Sequence, residues 1–352
     1  MDTGVGLVGY GLYLPDSRMS AAEISAATGG VWSEEAIIAK LGVISKPVPG
    51  PGDGTQEMGA RAAQDALDRT GVDPREIDVI LCVGEEWKEY PLTTSALYIQ
   101  DRIGATNAWG IDLANRCCTT LTTLKMAKDM LLADPEIDTI LIAGGYRNGD
   151  FLDYTDPSVS MMYNLGAAGG AFILRRGHAA NQLLGSHVMS DGSLCHTAGV
   201  EIGGIARPYT PDNLAEGLKS LRLMDPVRMK DRLNQTSLPN WYHCIDESLR
   251  KSGGLTRADI DYLGVLHFKR SQHLAMLADL GLAEDQSVYL EDYGHLGQVD
   301  QMLTIHLGLE RGLIHDGSLI ALVAAGIGYT WASTIIRWGP AQPVEGSSPT
   351  TA

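Results

Sequence analysis

Short continuous apolar runs alternate along this chain with longer segments whose apolar residues recur every three or four positions. Residues 75–84 read Arg-Glu-Ile-Asp-Val-Ile-Leu-Cys-Val-Gly, and residues 257–266 read Arg-Ala-Asp-Ile-Asp-Tyr-Leu-Gly-Val-Leu. Each opens an apolar strand, and Ile77-Asp78 in the first echoes Ile260-Asp261 in the second. Each follows a helix-like segment, 57–70 and 241–252, closed by a turn that contains glycine. The pattern then continues in parallel. A helix over 117–132, with Leu121, Leu124 and Ala127 at helical spacing, leads to a strand at 138–144. A helix over 297–312 leads to a strand at 318–325. Apolar strands alternating with helices predict an α/β fold with largely buried sheets. The echo predicts internal duplication, with halves spanning 1–175 and 176–340 and a join near 175–180, after a strand at Ala171–Leu174. Residues 205–240 fit neither repeat and read as an insertion with helices. Residues 341–352 are rich in Pro, Ser and Thr and read as a disordered tail.

Composition narrows the class. The chain has 352 residues, is 44% hydrophobic and carries a net charge of −16. That supports a sizeable core and argues against a nucleic-acid surface. The first residues lack the basic and apolar regions of a signal peptide, and no apolar run reaches the ~18 residues of a membrane helix. A cytoplasmic protein is expected. The five cysteines, at 82, 117, 118, 195 and 244, are irregularly spaced, which speaks against a disulfide framework or a zinc site. No metal and no bound redox cofactor is expected.

One pair of cysteines stands apart. Cys117-Cys118 falls at the start of the 117–132 helix, behind an apolar lead-in at Ile111 to Ala114. A cysteine at a helix N-terminus feels the positive end of the helix dipole, which favours thiolate and so makes a nucleophile.

With these residues in view, the chain resembles the thiolase superfamily, and within it the ketoacyl-ACP synthase III branch, over about residues 5–338. Gly6-Leu7-Val8-Gly9-Tyr10-Gly11-Leu12-Tyr13-Leu14-Pro15 resembles the family's first strand and Leu-Pro turn. Asp112 to Ala127 resembles its nucleophile segment, with Cys117 in the nucleophile position. Leu165 to Ala171, with Gly166, Gly169 and Gly170, resembles its Gly-rich turn, and Gly326 to Trp331 resembles its C-terminal Gly-rich loop. The resemblance implies duplicated βαβαβ halves in five layers, a homodimer, and a tunnel for a phosphopantetheine arm. It implies an acyl thioester formed on Cys117 from acyl-CoA or an acyl carrier protein, followed by condensation with a malonyl unit.

The departures sharpen the expectation. His267 falls at the family's histidine, but Phe268-Lys269-Arg270 replaces the usual Gln-Ala-Asn. The family's asparagine follows Tyr-Gly, and here Tyr293-Gly294 is followed by His295, with Asp300 five residues on. An imidazole can accept a proton where a carboxamide cannot. Cys117, His295 and Asp300 could therefore form an acyl-transfer triad, provided His295 lies in the turn before its helix, because Asp300 is at neither i+3 nor i+4. Cys117, His267 and His295 would equally reproduce the Cys-His-His set of elongating ketosynthases. The oxyanion donors implied are the backbone N–H groups of Cys117 and of Ile327 and Gly328. His196, Lys269 and Arg270 are candidates for substrate contact, and Glu85, Glu86, Trp87 and Lys88 lie at a strand end where α/β ligands bind. A thiolase proper would need a second cysteine near the C-terminus, and Gly326–Trp331 has none. The expected enzyme is an acyltransferase of secondary metabolism, such as polyketide starter priming. Ester or amide formation is the alternative chemistry, and an inactive scaffold subunit is the remaining one.

Overall fold

The computed structural model describes residues 4–84 and 87–340, so the expected tail at 341–352 and the pair Glu85 and Glu86 lie outside the described residues. Nine strands build the sheet system: β1 (Val5–Tyr13), β2 (Val79–Cys82), β3 (Trp109–Asp112), β4 (Thr139–Tyr146), β5 (Ala168–Arg176), β6 (Gln182–Ser190), β7 (Tyr262–Val265), β8 (Leu319–Gly326) and β9 (Thr330–Arg337). They hydrogen-bond in the order β7-β8-β9-β6-β1-β5-β4-β2-β3. Apart from the extra edge strand β3, that order mirrors itself about the contact of β6 with β1, where Gly6 lies opposite Gln182. On either side the first strand of the half pairs antiparallel with the last, β1 with β5 and β6 with β9. The inner pairs, β2 with β4 and β7 with β8, are parallel. The strand echo in the sequence is thus a repeat of topology.

Six principal helices pack on this frame: α1 (Thr55–Thr70), α2 (Ser95–Ile103), α3 (Thr119–Ala133), α4 (Pro226–Lys251), α5 (Arg270–Leu280) and α6 (Asp300–Glu310). α1 lies on β1, β4 and β5, and α4 on β6, β8 and β9. α3 and α6 each touch strands of both halves. The layers therefore run helix, sheet, helix, sheet, helix, as the resemblance implied. Strands β2, β4, β7 and most of β8 are buried along their length, which is why they read as continuous apolar runs.

Two of the three family-like glycines let layers approach closely. A Cβ on Gly169 would fall 2.1 Å from the Met58 carbonyl of α1, and one on Gly170 would fall 2.3 Å from Met302 Sδ of α6.

Several boundaries differ from expectation for identifiable reasons. The helices expected from 117 and 297 begin at Thr119 and Asp300, because a 3₁₀ turn precedes each, Arg116–Cys118 and Gly297–Val299. The helix expected over 241–252 is the second half of a 26-residue helix that runs through Pro239. Asp225 caps it by accepting from Arg228 N–H, and Pro226 sits in the first turn, where its missing donor costs nothing. The segment expected as a helical insertion holds a short helix at Leu214–Gly217, a strand at Leu221–Leu223 and the start of α4.

Candidate active site

The 3₁₀ turns that precede α3 and α6 pack against each other at the junction of the halves. The first presents Cys117, which stands at the N-terminal end of α3, where the helix dipole favours negative charge. Asn115 braces this turn: its main-chain N–H donates to Thr119 Oγ1 at 2.8 Å, its side-chain amide to Thr122 Oγ1 at 2.8 Å, and Thr330 Oγ1 donates to its Oδ1 at 3.1 Å. Of the two cysteines, Cys118 is fully buried, with its thiol against the Thr330 carbonyl at 3.1 Å, and burial holds it well above the ordinary thiol value.

His295 lies ahead of the 3₁₀ turn Gly297–Val299, in an isolated bridge to Leu165 and not in the helix, and this is the condition that brings it to Asp300. His295 Nε2 is 3.0 Å from Cys117 Sγ, and His295 Nδ1 is 2.6 Å from Asp300 Oδ2. Asp300 has no solvent exposure; its carboxylate also accepts from His267 N–H at 2.8 Å and Leu296 N–H at 2.7 Å. Its orientation is therefore fixed on three sides. Burial by itself would lower the His295 imidazole, yet the Cys117 sulfur and the Asp300 carboxylate on its two sides hold it well above the ordinary histidine value. The ring is thus suited to hold the proton that a thiol gives up.

The ring of His267 is turned elsewhere. Its Nε2 lies 3.1 Å from the Gly42 carbonyl, which can only accept, so Nε2 carries the hydrogen. Its Nδ1 then accepts from the Asn164 side-chain amide at 2.9 Å. Burial pushes this imidazole down to about 4, so it stays neutral with both nitrogens engaged. What His267 contributes directly to the triad is its backbone N–H to Asp300.

The remaining candidates divide. Gly326 abuts the nucleophile turn, since a Cβ there would lie 3.2 Å from Cys117 N, so the strand end that leads into Ile327 and Gly328 packs against that turn. Lys269 lines a cavity of about 310 Å³ together with Trp32, Lys40, Leu41 and Met161. Arg270 is instead paired with Glu291 at 2.6 Å and does not line that cavity. His196 is exposed beyond the 3₁₀ turn Gly192–Leu194. At the end of β2, Trp87 packs on Phe151 with ring centroids 4.5 Å apart and Lys88 pairs with Asp112 at 3.0 Å. No group of three or more His, Cys, Asp or Glu among the described residues is placed to hold a metal ion. Sequence reasoning missed Asn164, Lys40 and Trp32, which carry no local motif.

Two family descriptions match the chain. Residues 111–192, which include Cys117, match 3-oxoacyl-[acyl-carrier-protein (ACP)] synthase III, and residues 249–338, which include His267, His295 and Asp300, match its C-terminal part. A β-ketoacyl-[acyl-carrier-protein] synthase III from Syntrophomonas wolfei is 26% identical over 342 residues, 97% of this chain and 99% of the relative. The chain is similar to the 3-oxoacyl-[acyl-carrier-protein] synthase III family over both matched segments. A relative of the same name from Symbiobacterium thermophilum is 26% identical over 341 residues, 95% of this chain and 98% of the relative. Solved structures share its fold. The 3-oxoacyl-[acyl-carrier-protein] synthase III of Aquifex aeolicus superposes with a TM-score of 0.81 at 19% identity, over 95% of this chain and 100% of the other. A priming β-ketosynthase of a polyketide biosynthetic pathway superposes with a TM-score of 0.81 at 21% identity, over 97% and 98%. OleA of Xanthomonas campestris superposes with a TM-score of 0.78 at 16% identity, over 96% and 98%. No helix among the described residues of the synthase III-like chain is long and apolar enough to cross a membrane.

Proposed function

We propose that this synthase III-like protein transfers an acyl group from a CoA or carrier-protein thioester, through a Cys117 thioester, to a hydroxyl or amine. One observation carries the reading: His295 bridges Cys117 Sγ and Asp300 at 3.0 and 2.6 Å, while both ring nitrogens of His267 are engaged by Gly42 and Asn164. In this mechanism His295 Nε2 takes the Cys117 proton and the thiolate attacks the thioester carbonyl. Backbone N–H groups of Cys117 and of the 326–328 loop hold the oxyanion, and the donor thiol leaves with the proton from His295. The acceptor then enters and gives its proton to the same Nε2. Its oxygen or nitrogen attacks the acyl carbon, and Cys117 leaves as thiol. Asp300 keeps the imidazole in the required tautomer throughout. Asparagine, the residue that the resemblance puts at position 295, could not perform the two proton transfers.

The lysines that line the cavity, Lys40 and Lys269, support a phosphate-bearing donor arm, and Trp32 offers a ring for stacking. The edge strand β3, with Trp109 and Ile111 exposed, supports a homodimer. A role in polyketide or other secondary-metabolite assembly, in the cytoplasm where CoA thioesters are met, accords with this chemistry. The second reading is decarboxylative condensation with a malonyl thioester through Cys117, His267 and His295, favoured by the names of the relatives. It requires His267 to release Gly42 or Asn164 so that a donor hydrogen faces the enolate.

Intact-protein mass spectrometry with a panel of acyl-CoAs separates these. The triad reading expects an adduct that disappears in Cys117→Ala, is discharged by alcohols or amines, and releases no labelled carbon dioxide when chased with malonyl thioester. Carbon dioxide release would establish condensation instead, and no adduct with any donor would favour the scaffold role.

A further inference from the structure

A wholly buried cation lies beside this site. Lys46, in the short strand Ser45–Pro47, has no solvent exposure. Among the described residues its hydrogen-bond partners are all neutral: Nζ donates to the Tyr163 carbonyl at 2.6 Å, the Leu165 carbonyl at 2.7 Å and Tyr154 Oη at 2.8 Å. Burial pushes the ammonium down to about 7. A buried ammonium facing only neutral partners is costly, and an apolar side chain of the same length would fill the space more cheaply. Stability alone therefore does not account for it.

The two carbonyls flank Asn164, and Asn164 grips both histidines. Its side-chain amide donates to His267 Nδ1 at 2.9 Å, and its carbonyl accepts from His295 N–H at 2.9 Å. The next residues complete the clasp: Gly166 N–H donates to the His295 carbonyl at 2.9 Å, and Ala167 N–H to the Pro47 carbonyl at 3.0 Å. Lys46 and Pro47 thus hold residues 163–167, and residues 163–167 hold His295 opposite Cys117.

We propose that Lys46 is a positioning residue for acyl transfer, whose ammonium locks the Tyr163–Leu165 backbone so that Asn164 sets His267 and the main chain of His295 in register with Cys117. This rests on the reading of Cys117 as nucleophile and His295 as its base. It predicts that loss of the ammonium loosens the sulfur–imidazole contact.

The test needs no knowledge of the substrate. Wild type, Lys46→Met, Tyr154→Phe and His295→Ala are alkylated with iodoacetamide across a pH series, and modification of Cys117 is followed by peptide mass spectrometry alongside thermal melts. In Lys46→Met, alkylation of Cys117 at neutral pH is expected to fall about tenfold, as for a small misplacement of a reacting pair. Its pH profile should move to the alkaline side, and the melt should remain cooperative. Tyr154→Phe, which removes one of the three acceptors, should move the profile the same way by a smaller amount. A Lys46→Met protein that melts earlier but keeps the wild-type rate and profile has only a packing role for Lys46, and the proposal is then wrong. Should Lys46→Met fail to fold, Tyr154→Phe decides, and an unmoved profile overturns the proposal. If wild-type Cys117 reacts no faster than in His295→Ala, the triad itself is wrong and this proposal goes with it. Dependence on His295 with an unmoved Lys46→Met profile removes this proposal alone.

Discussion

At the scale of single residues, the chemistry turns on where two imidazoles point. His295 faces sulfur on one side and carboxylate on the other, whereas His267 is locked neutral between a carbonyl and an amide. Replacing His295 by Ala should cut the rate of Cys117 acylation by about 10²–10⁴-fold, the usual worth of a positioned base, read by single-turnover mass spectrometry. Asp300→Asn should leave the fold intact but slow acylation by a comparable factor, because the carboxamide no longer enforces the tautomer. The buried histidines also set the acid limit of stability. His267 and His273 are both pushed down to about 4, chiefly by burial, so each is neutral in the fold. An unfolded histidine takes up its proton near 6.5. The stability they confer is therefore complete above about 6.5 and is lost as pH falls towards 4, by up to about 3 kcal/mol for one group. His295, held above the ordinary value, works in the opposite sense, and its contribution fades as pH rises through its own raised value. Urea melts between pH 6.5 and 4 should show the loss, and His273→Phe should flatten the slope. Cys117, His295 and Asp300 were legible because each departs from or matches a short motif. Asn164 and Lys46 were not, because they meet His267 and the 163–165 carbonyls across more than a hundred residues of chain, and no local pattern marks such a contact.

At the scale of elements, apolar runs located the strands well because both faces of β2, β4 and β7 are covered. Helix starts were less legible. A 3₁₀ turn uses the same residue types as a first helical turn, so periodicity alone placed α3 and α6 too early. The sequence pattern gives a helix over 241–252 with an insertion before it, whereas α4 starts at Pro226 and runs through Pro239, since packing on β6, β8 and β9 outweighs one missing hydrogen bond. The tight seam between α1 and β5 makes a sharp prediction. Gly169→Ala would drive a methyl into the Met58 carbonyl and should destabilise the protein by about 1–3 kcal/mol, measured as a lower urea midpoint.

At the scale of the whole molecule, duplication was readable from one echo of Ile-Asp and a repeated order of elements, and the strand order, which mirrors itself about β6 and β1 apart from β3, accounts for it. The layering followed from the resemblance, since no composition or periodicity says which helices lie between two sheets. Assembly of copies belongs to this scale too. If β3 forms the seam of a homodimer, Trp109→Glu with Ile111→Lys should shift the protein to monomer in light scattering while a fresh preparation keeps its melting cooperativity.

The paired 3₁₀ turns occupy matching places in the two halves, each leading into a helix. In the first half the middle residue of the turn is Cys117; in the second it is Gln298, buried, with its amide donating to the Gly145 carbonyl at 3.1 Å. The equivalent structural address was thus filled twice, once with a nucleophile and once with a prop that holds the opposite half in place. The matching turns carry unlike duties, Cys117 facing His295 and Gln298 tying the second half to β4 of the first.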